Sequence, residues 1–82
     1  MKQAETWAVL SRHIAGVLDD VEHSEIRPQD TLQGLGANSL DRLDILAGVV
    51  DELQLAIPIP ELSAAPDLGR LAALLHAHGG RP

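Results

Sequence analysis

Leu35-Gly36-Ala37-Asn38-Ser39-Leu40-Asp41-Arg42 is the stretch whose reading decides the fold. A glycine-containing segment gives way here to an amphipathic pattern, and Ser39 stands where loop becomes helix. Asn38 is placed to cap that helix, and Asp41 follows three residues later, where a carboxylate can answer the cap. A serine in this setting is exposed, held on a rigid element and close to the positive end of a helix dipole. Such surroundings suit a covalently attached phosphate better than an unaided nucleophile. No other motif in the chain competes with it.

Downstream, residues 39–53 predict a helix with Leu40, Leu43, Leu46 or Ala47, Val50 and Leu53 as its buried stripe. Asp41, Arg42, Asp44, Asp51 and Glu52 form its polar side, with four acids against one base. Upstream, Ala4, Trp7, Leu10, Ile14, Val17 and Leu18 recur at helical spacing and predict a helix over 3–18. Residues 19–37 break that period: Pro28 disfavours helix at Arg27, and Gly34 and Gly36 punctuate the end. Ile26, Leu32 and Leu35 are candidate anchors for this long loop, a kind of segment that in small domains is often functional.

Ile57-Pro58-Ile59-Pro60 reads as non-helical because its prolines remove donors and extend the residues before them, with one short turn expected over 60–65. Asp67 then caps a last helix whose apolar set is Leu68, Leu71, Ala72, Leu74 and Leu75. Gly79-Gly80 is expected to end it and Arg81-Pro82 to fray. The fold class is all-α: a bundle of three principal helices and one short one, with a long first loop, in a single domain over 1–82.

The composition agrees. The chain has 82 residues, no cysteine, and an apolar fraction of 45% drawn almost wholly from Ala, Leu, Val and Ile, with Trp7 as the single aromatic. Such short aliphatic side chains suit a compact helical bundle. Without cysteine there are no disulfides or thiolate metal sites. A net charge of −6 argues against nucleic acid as partner and favours basic protein surfaces, although acidity alone also serves solubility. No signal peptide or membrane-length apolar run is visible, so a cytoplasmic, monomeric protein without membrane contact is expected. The short termini suggest a freestanding chain.

Asp30-Thr31-Leu32 followed by Leu35-Gly36-Ala37-Asn38-Ser39-Leu40-Asp41, set in this helix order, resembles an acyl carrier protein across nearly the whole chain. That family places Leu-Gly three residues ahead of a modified serine that is followed by leucine or isoleucine. The resemblance implies that Ser39 carries 4'-phosphopantetheine through a phosphodiester and that the protein is a carrier, not an enzyme. The residue before the serine is commonly aspartate in that family; here it is Asn38, which caps equally well but removes a charge beside the phosphodiester.

The fuller string Gly36-Ala37-Asn38-Ser39-Leu40-Asp41-Arg42 is similar to a narrower group, the freestanding donor carriers of polyketide β-branching cassettes. Their partners are a phosphopantetheinyl transferase, an acyltransferase, a decarboxylating ketosynthase-like enzyme and a homologue of 3-hydroxy-3-methylglutaryl (HMG) synthase. The cargo implied is acetyl formed from malonyl. Acceptor carriers of those pathways tend to have tryptophan six residues after the serine, where this chain has Ile45.

Plainer readings stand beside these. Ser39 is also an ordinary first-turn serine, since serine is common there. A hydrolase would need a base against the hydroxyl, and His13, His23, His76 and His78 lie in no nucleophile motif. The acids of the second helix are either a solvated face or a docking strip for basic partners, with Asp41 and Asp44 nearest the serine. Arg42, the odd cation of that strip, either pairs with a neighbouring acid or selects a partner by finding its carboxylate. Leu40 is equally a core residue or a partner contact, and Trp7 a core or groove-edge residue. His76 and His78 face different directions and make a poor metal pair. Two other assignments remain open. One is a peptidyl carrier of a nonribosomal peptide synthetase, where His or Asp often precedes the serine and acidity is lower. The other is an unmodified helical interaction module.

Overall fold

The computed structural model describes residues 3–79, with side-chain burial described for 4–78. Four helices follow one another: α1 (Gln3–Val17), α2 (Ser39–Leu53), α3 (Ile59–Ser63) and α4 (Leu68–Gly79), with a single 3-10 turn at His23–Glu25 inside the first loop. No strand occurs among the described residues. The all-α bundle with its long first loop is therefore the fold observed.

The core is a shared aliphatic cluster to which every helix contributes. Leu10 and Ile14 enter from α1, Ile45, Leu46 and Val49 from α2, Leu62 from α3, and Leu68, Leu71 and Leu75 from α4. Trp7 packs partly buried against its edge. The first loop is tied down by Ile26 and Leu32, as their positions predict, and by Ala37, while Leu35 is half-buried.

Backbone bonds lock the loop to α4. Leu68 N–H donates to Asp30 O and Gly69 N–H to Pro28 O, each at 2.8 Å, and Arg70 N–H donates to Asp67 Oδ1 at 2.8 Å. The first donors of α4, which have no partner inside the helix, are thus satisfied by the loop and by the Asp67 cap. Glycine at 69 lets the two segments approach closely, since a Cβ there would sit 3.2 Å from Pro28 Cβ and 3.3 Å from its carbonyl oxygen. The loop that leads to α2 is thereby held from two sides.

Three expectations need correction. The buried face of α2 is Ile45, Leu46 and Val49, whereas Leu40 is 72% and Leu43 48% exposed. The helix carries two apolar rows about half a turn apart, and the row of Ile45, Leu46 and Val49 is the one turned into the core, where α2 packs against α1 and α3. Helix α3 begins at Ile59, with Pro60 in its first turn, where a missing N–H breaks no bond. α1 ends at Val17, although Leu18 N–H still reaches Ile14 O at 2.8 Å. The last described residue of α4 is Gly79, and Gly80 with the fraying expected at Arg81-Pro82 lies outside the described residues. α2 itself runs over the predicted 39–53 and stops on Gln54, a non-glycine residue at φ 53°.

Candidate functional site

Ser39 is the first residue of α2, and the backbone before it is shaped to leave it there. Residues 32–36 wind into a turn in which Leu35 N–H donates to Thr31 O and Ala37 N–H to Leu32 O, both at 3.0 Å. Gly36 closes the turn at φ 102°, a conformation that side-chain-bearing residues rarely adopt. Ala37 can then bury itself while Asn38 swings out into extended geometry, at φ −84° and ψ −176°. The capping box forms in full. Asp41 N–H donates to Asn38 Oδ1 at 2.8 Å, and Asn38 N–H donates to Asp41 Oδ2 at 3.2 Å.

The serine is exposed, and Arg42 Nη2 donates to its Oγ at 3.3 Å. Among the described residues this is the hydroxyl's hydrogen-bonding partner, and a guanidinium cannot accept a proton. Asp41, the nearest carboxylate in sequence, is committed to the cap. The arrangement presents a hydroxyl on a rigid helix end, beside a cation and the positive pole of the helix, without a general base upon it.

The predicted partner residues divide between faces. Leu40, Leu43, Asp44, Ala47 and Asp51 are exposed, and Asn38 is exposed at the same end. Asp41 and Arg42 are half-buried. Two residues separate Leu40 from Arg42, a turn of about 200° round the axis, so Arg42 projects on the opposite side from the Leu40–Asp44 face. The expectation that Arg42 belongs to the acidic strip, or pairs with a helix neighbour, is replaced by this placement. Among the described residues it makes no ion pair, and it helps line a cleft of ≈ 360 Å³ with Thr31, Leu46, Leu62, Leu68 and Leu71.

Glu52 also leaves the strip. It turns to α1, where Arg12 Nη2 donates to Oε2 and His13 Nε2 lies 2.8 Å from Oε1. The Arg12 hydrogen bond first, then that of His13, holds the Glu52 carboxyl below its ordinary range. His13 packs onto Gly48, where a Cβ would meet its Nδ1 at 2.7 Å. His76 is half-buried with Nδ1 unpartnered and His78 is exposed; among the described residues no cluster of three metal-ligating side chains occurs. Sequence reasoning missed the cleft altogether, because its walls come from three separate segments, none of which carries a local signal.

A four-helix bundle whose long loop delivers an exposed serine to a helix N-terminus, with a cation on its hydroxyl, offers a covalent phosphate-linked group a rigid and positively polarised anchor. Residues 8–75 match the phosphopantetheine attachment site family, and the chain belongs to it: it is an acyl carrier protein, a carrier rather than a catalyst, whose cofactor is covalent 4'-phosphopantetheine borne on a serine. One relative is the polyketide biosynthesis acyl-carrier-protein AcpK of Bacillus subtilis (strain 168), 37% identical over 76 residues that span 93% of each chain. No solved structure matches the chain. No described helix is long and apolar enough to cross a membrane.

Proposed function

We propose that Ser39 carries the phosphopantetheine arm and that the protein is a monomeric donor carrier of polyketide biosynthesis. On this reading it takes malonyl from an acyltransferase and yields acetyl through a decarboxylating ketosynthase-like enzyme. An HMG-synthase homologue then receives the acetyl for β-branching, in the cytoplasm where those enzymes work. The observation that carries the attachment assignment is the setting of Ser39: exposed, first in a fully capped helix, with Arg42 on its hydroxyl. Ser11, another serine within the matched residues, is 1% exposed and donates to Trp7 O at 2.7 Å, so it is closed to a transferase. The pathway rests on the likeness to AcpK, and the donor role on Asn38, Asp41 and Arg42 around the serine.

The arm does the recurring work: Ser39 accepts it once, and its terminal thiol exchanges acyl groups. Leu40, Asp41 and Asp44 supply an apolar contact and flanking charge for docking, with Asn38 at the same end. Weak, electrostatically guided docking suits a shuttle that must release each partner. An acetyl group gains little from the cleft, at about 0.8 kcal/mol per buried CH₂, so its sheltering adds almost nothing to the mechanism. The test is loading of the holo protein with malonyl, acetyl and aminoacyl donors, then transfer of acetyl to HMG-synthase homologues. Transfer of acetyl with selectivity among homologues supports the donor role, and Arg42→Glu is expected to erase that selectivity. Preferential aminoacyl loading would instead make this a peptidyl carrier.

A further inference from the structure

Among the described residues Arg42 is the side chain bonded to the Ser39 hydroxyl, and it comes from the side of α2 opposite the Leu40–Asp44 face. Its stem lies on the half of the helix that faces the bundle, and it contributes to the wall of the cleft between the 31–33 segment, α3 and α4. Its Nη2 nevertheless reaches back three residues to Ser39 Oγ. The other charged side chains of the helix lie elsewhere: Asp41 in the cap, Glu52 on Arg12 and His13, and Asp44 and Asp51 exposed on the outer face. A neutral hydroxyl at 3.3 Å is a weak reason to hold a guanidinium.

We infer that Arg42 is the resident counter-ion of the phosphodiester that forms on Ser39, and that it turns the root of the arm toward the cleft. The inference rests on Ser39 being the attachment residue. Phosphorus bonds directly to Oγ, so its unesterified oxygens come within reach of the group that already touches Oγ. The weak contact then becomes a charge-assisted one, for which the planar guanidinium is well matched. The helix N-terminus adds its pole on the same side of the charge balance. Because the cation stands on the cleft side of the helix, the arm leaves Ser39 away from the Leu40–Asp44 face and leaves that face free for a partner. The fork of five N–H donors can hold the phosphodiester on one edge and still offer the other to a partner carboxylate. Arg42 is on this account a positioning residue.

The test is ³¹P relaxation and chemical shift of the holo protein, with Arg42→Gln, Arg42→Lys and, as control, Arg27→Gln at an exposed loop site. Loading is first confirmed by intact mass, and the fold of each variant by amide shifts away from residues 38–46. The expected result is a phosphodiester that is at least about twofold more mobile in Arg42→Gln, partly restored in Arg42→Lys and unchanged in Arg27→Gln. Added salt should loosen the wild type toward Arg42→Gln, as it does for an ion pair near the surface. A loaded Arg42→Gln protein with wild-type phosphorus relaxation overturns the inference alone. A chain that accepts no arm, or accepts it elsewhere than Ser39, overturns the attachment assignment and this inference with it.

Discussion

Replacing Leu40 with alanine separates folding from docking at one residue. Leu40 is 72% exposed, so little more than a quarter of its surface is covered by the fold. Full burial of a leucine side chain is worth about 2 kcal/mol, which makes the covered part worth about 0.5 kcal/mol of stability. Alanine's better helix propensity offsets part of that loss. The uncovered part, if a phosphopantetheinyl transferase closes over it, is worth about 1.5 kcal/mol, or about tenfold in kcat/KM. The assays are urea unfolding of the apo protein and the rate of arm transfer onto it. Leu40→Ala should unfold at nearly the wild-type midpoint yet be modified about tenfold more slowly. Ile45→Ala, at a residue 0% exposed, should cost about 2–5 kcal/mol in the same unfolding assay. A loss of about 2 kcal/mol or more from Leu40→Ala, or an unchanged transfer rate, would refute the reasoning, since the first makes Leu40 a core residue and the second leaves it untouched by the enzyme.

Three further outcomes follow from the structure. Asn38→Ala removes the side-chain half of the capping box and should cost about 1 kcal/mol, seen as a melting point lower by about 4–8 °C, with Asn38→Asp close to wild type. Gly48→Ala should gain little on its own, because the new Cβ displaces His13 from Glu52. In a His13→Ala background the same change should recover the full helix-propensity gain of about 1 kcal/mol, and equal gains in both backgrounds would show that the contact is not felt. Glu52 has a folded pKa below its ordinary 4.5, so its contribution is complete above that value and is lost as pH falls through the depressed one. Wild type and Glu52→Gln should therefore differ in urea midpoint at neutral pH and converge in acid. A gap that persisted in acid would mean the pairs to Arg12 and His13 do not depend on the ionised carboxylate.

What was legible in the sequence was local chemistry. Asn38 and Asp41 declare the start of α2 because a capping box is made within four residues, and Asp67 declares α4 through a single cap bond from Arg70 N–H. The length of the first loop and its anchors Ile26 and Leu32 follow from a broken period and isolated apolar residues. Which face of α2 is buried was not legible, because Leu40 and Leu43 are as apolar as Ile45 and Leu46 and the choice is made by distant helices. Glu52 looked like its neighbouring acids until α1 brought Arg12 and His13 to it from 40 and 39 residues away. Arg42 was misread for a related reason: counting charges along the chain ignores that two residues carry a side chain past half a helical turn. Pro60 looked like a breaker because its rule applies to helix interiors, and α3 places it in the first turn.

The central claim is that this helix N-terminus bears the arm at Ser39. Its most direct test is the intact mass of the protein after incubation with coenzyme A and a broad phosphopantetheinyl transferase, wild type beside Ser39→Ala. The expected result is a gain of one phosphopantetheine in the wild type and none in Ser39→Ala. A gain that survives Ser39→Ala, or no gain in the wild type, would contradict it.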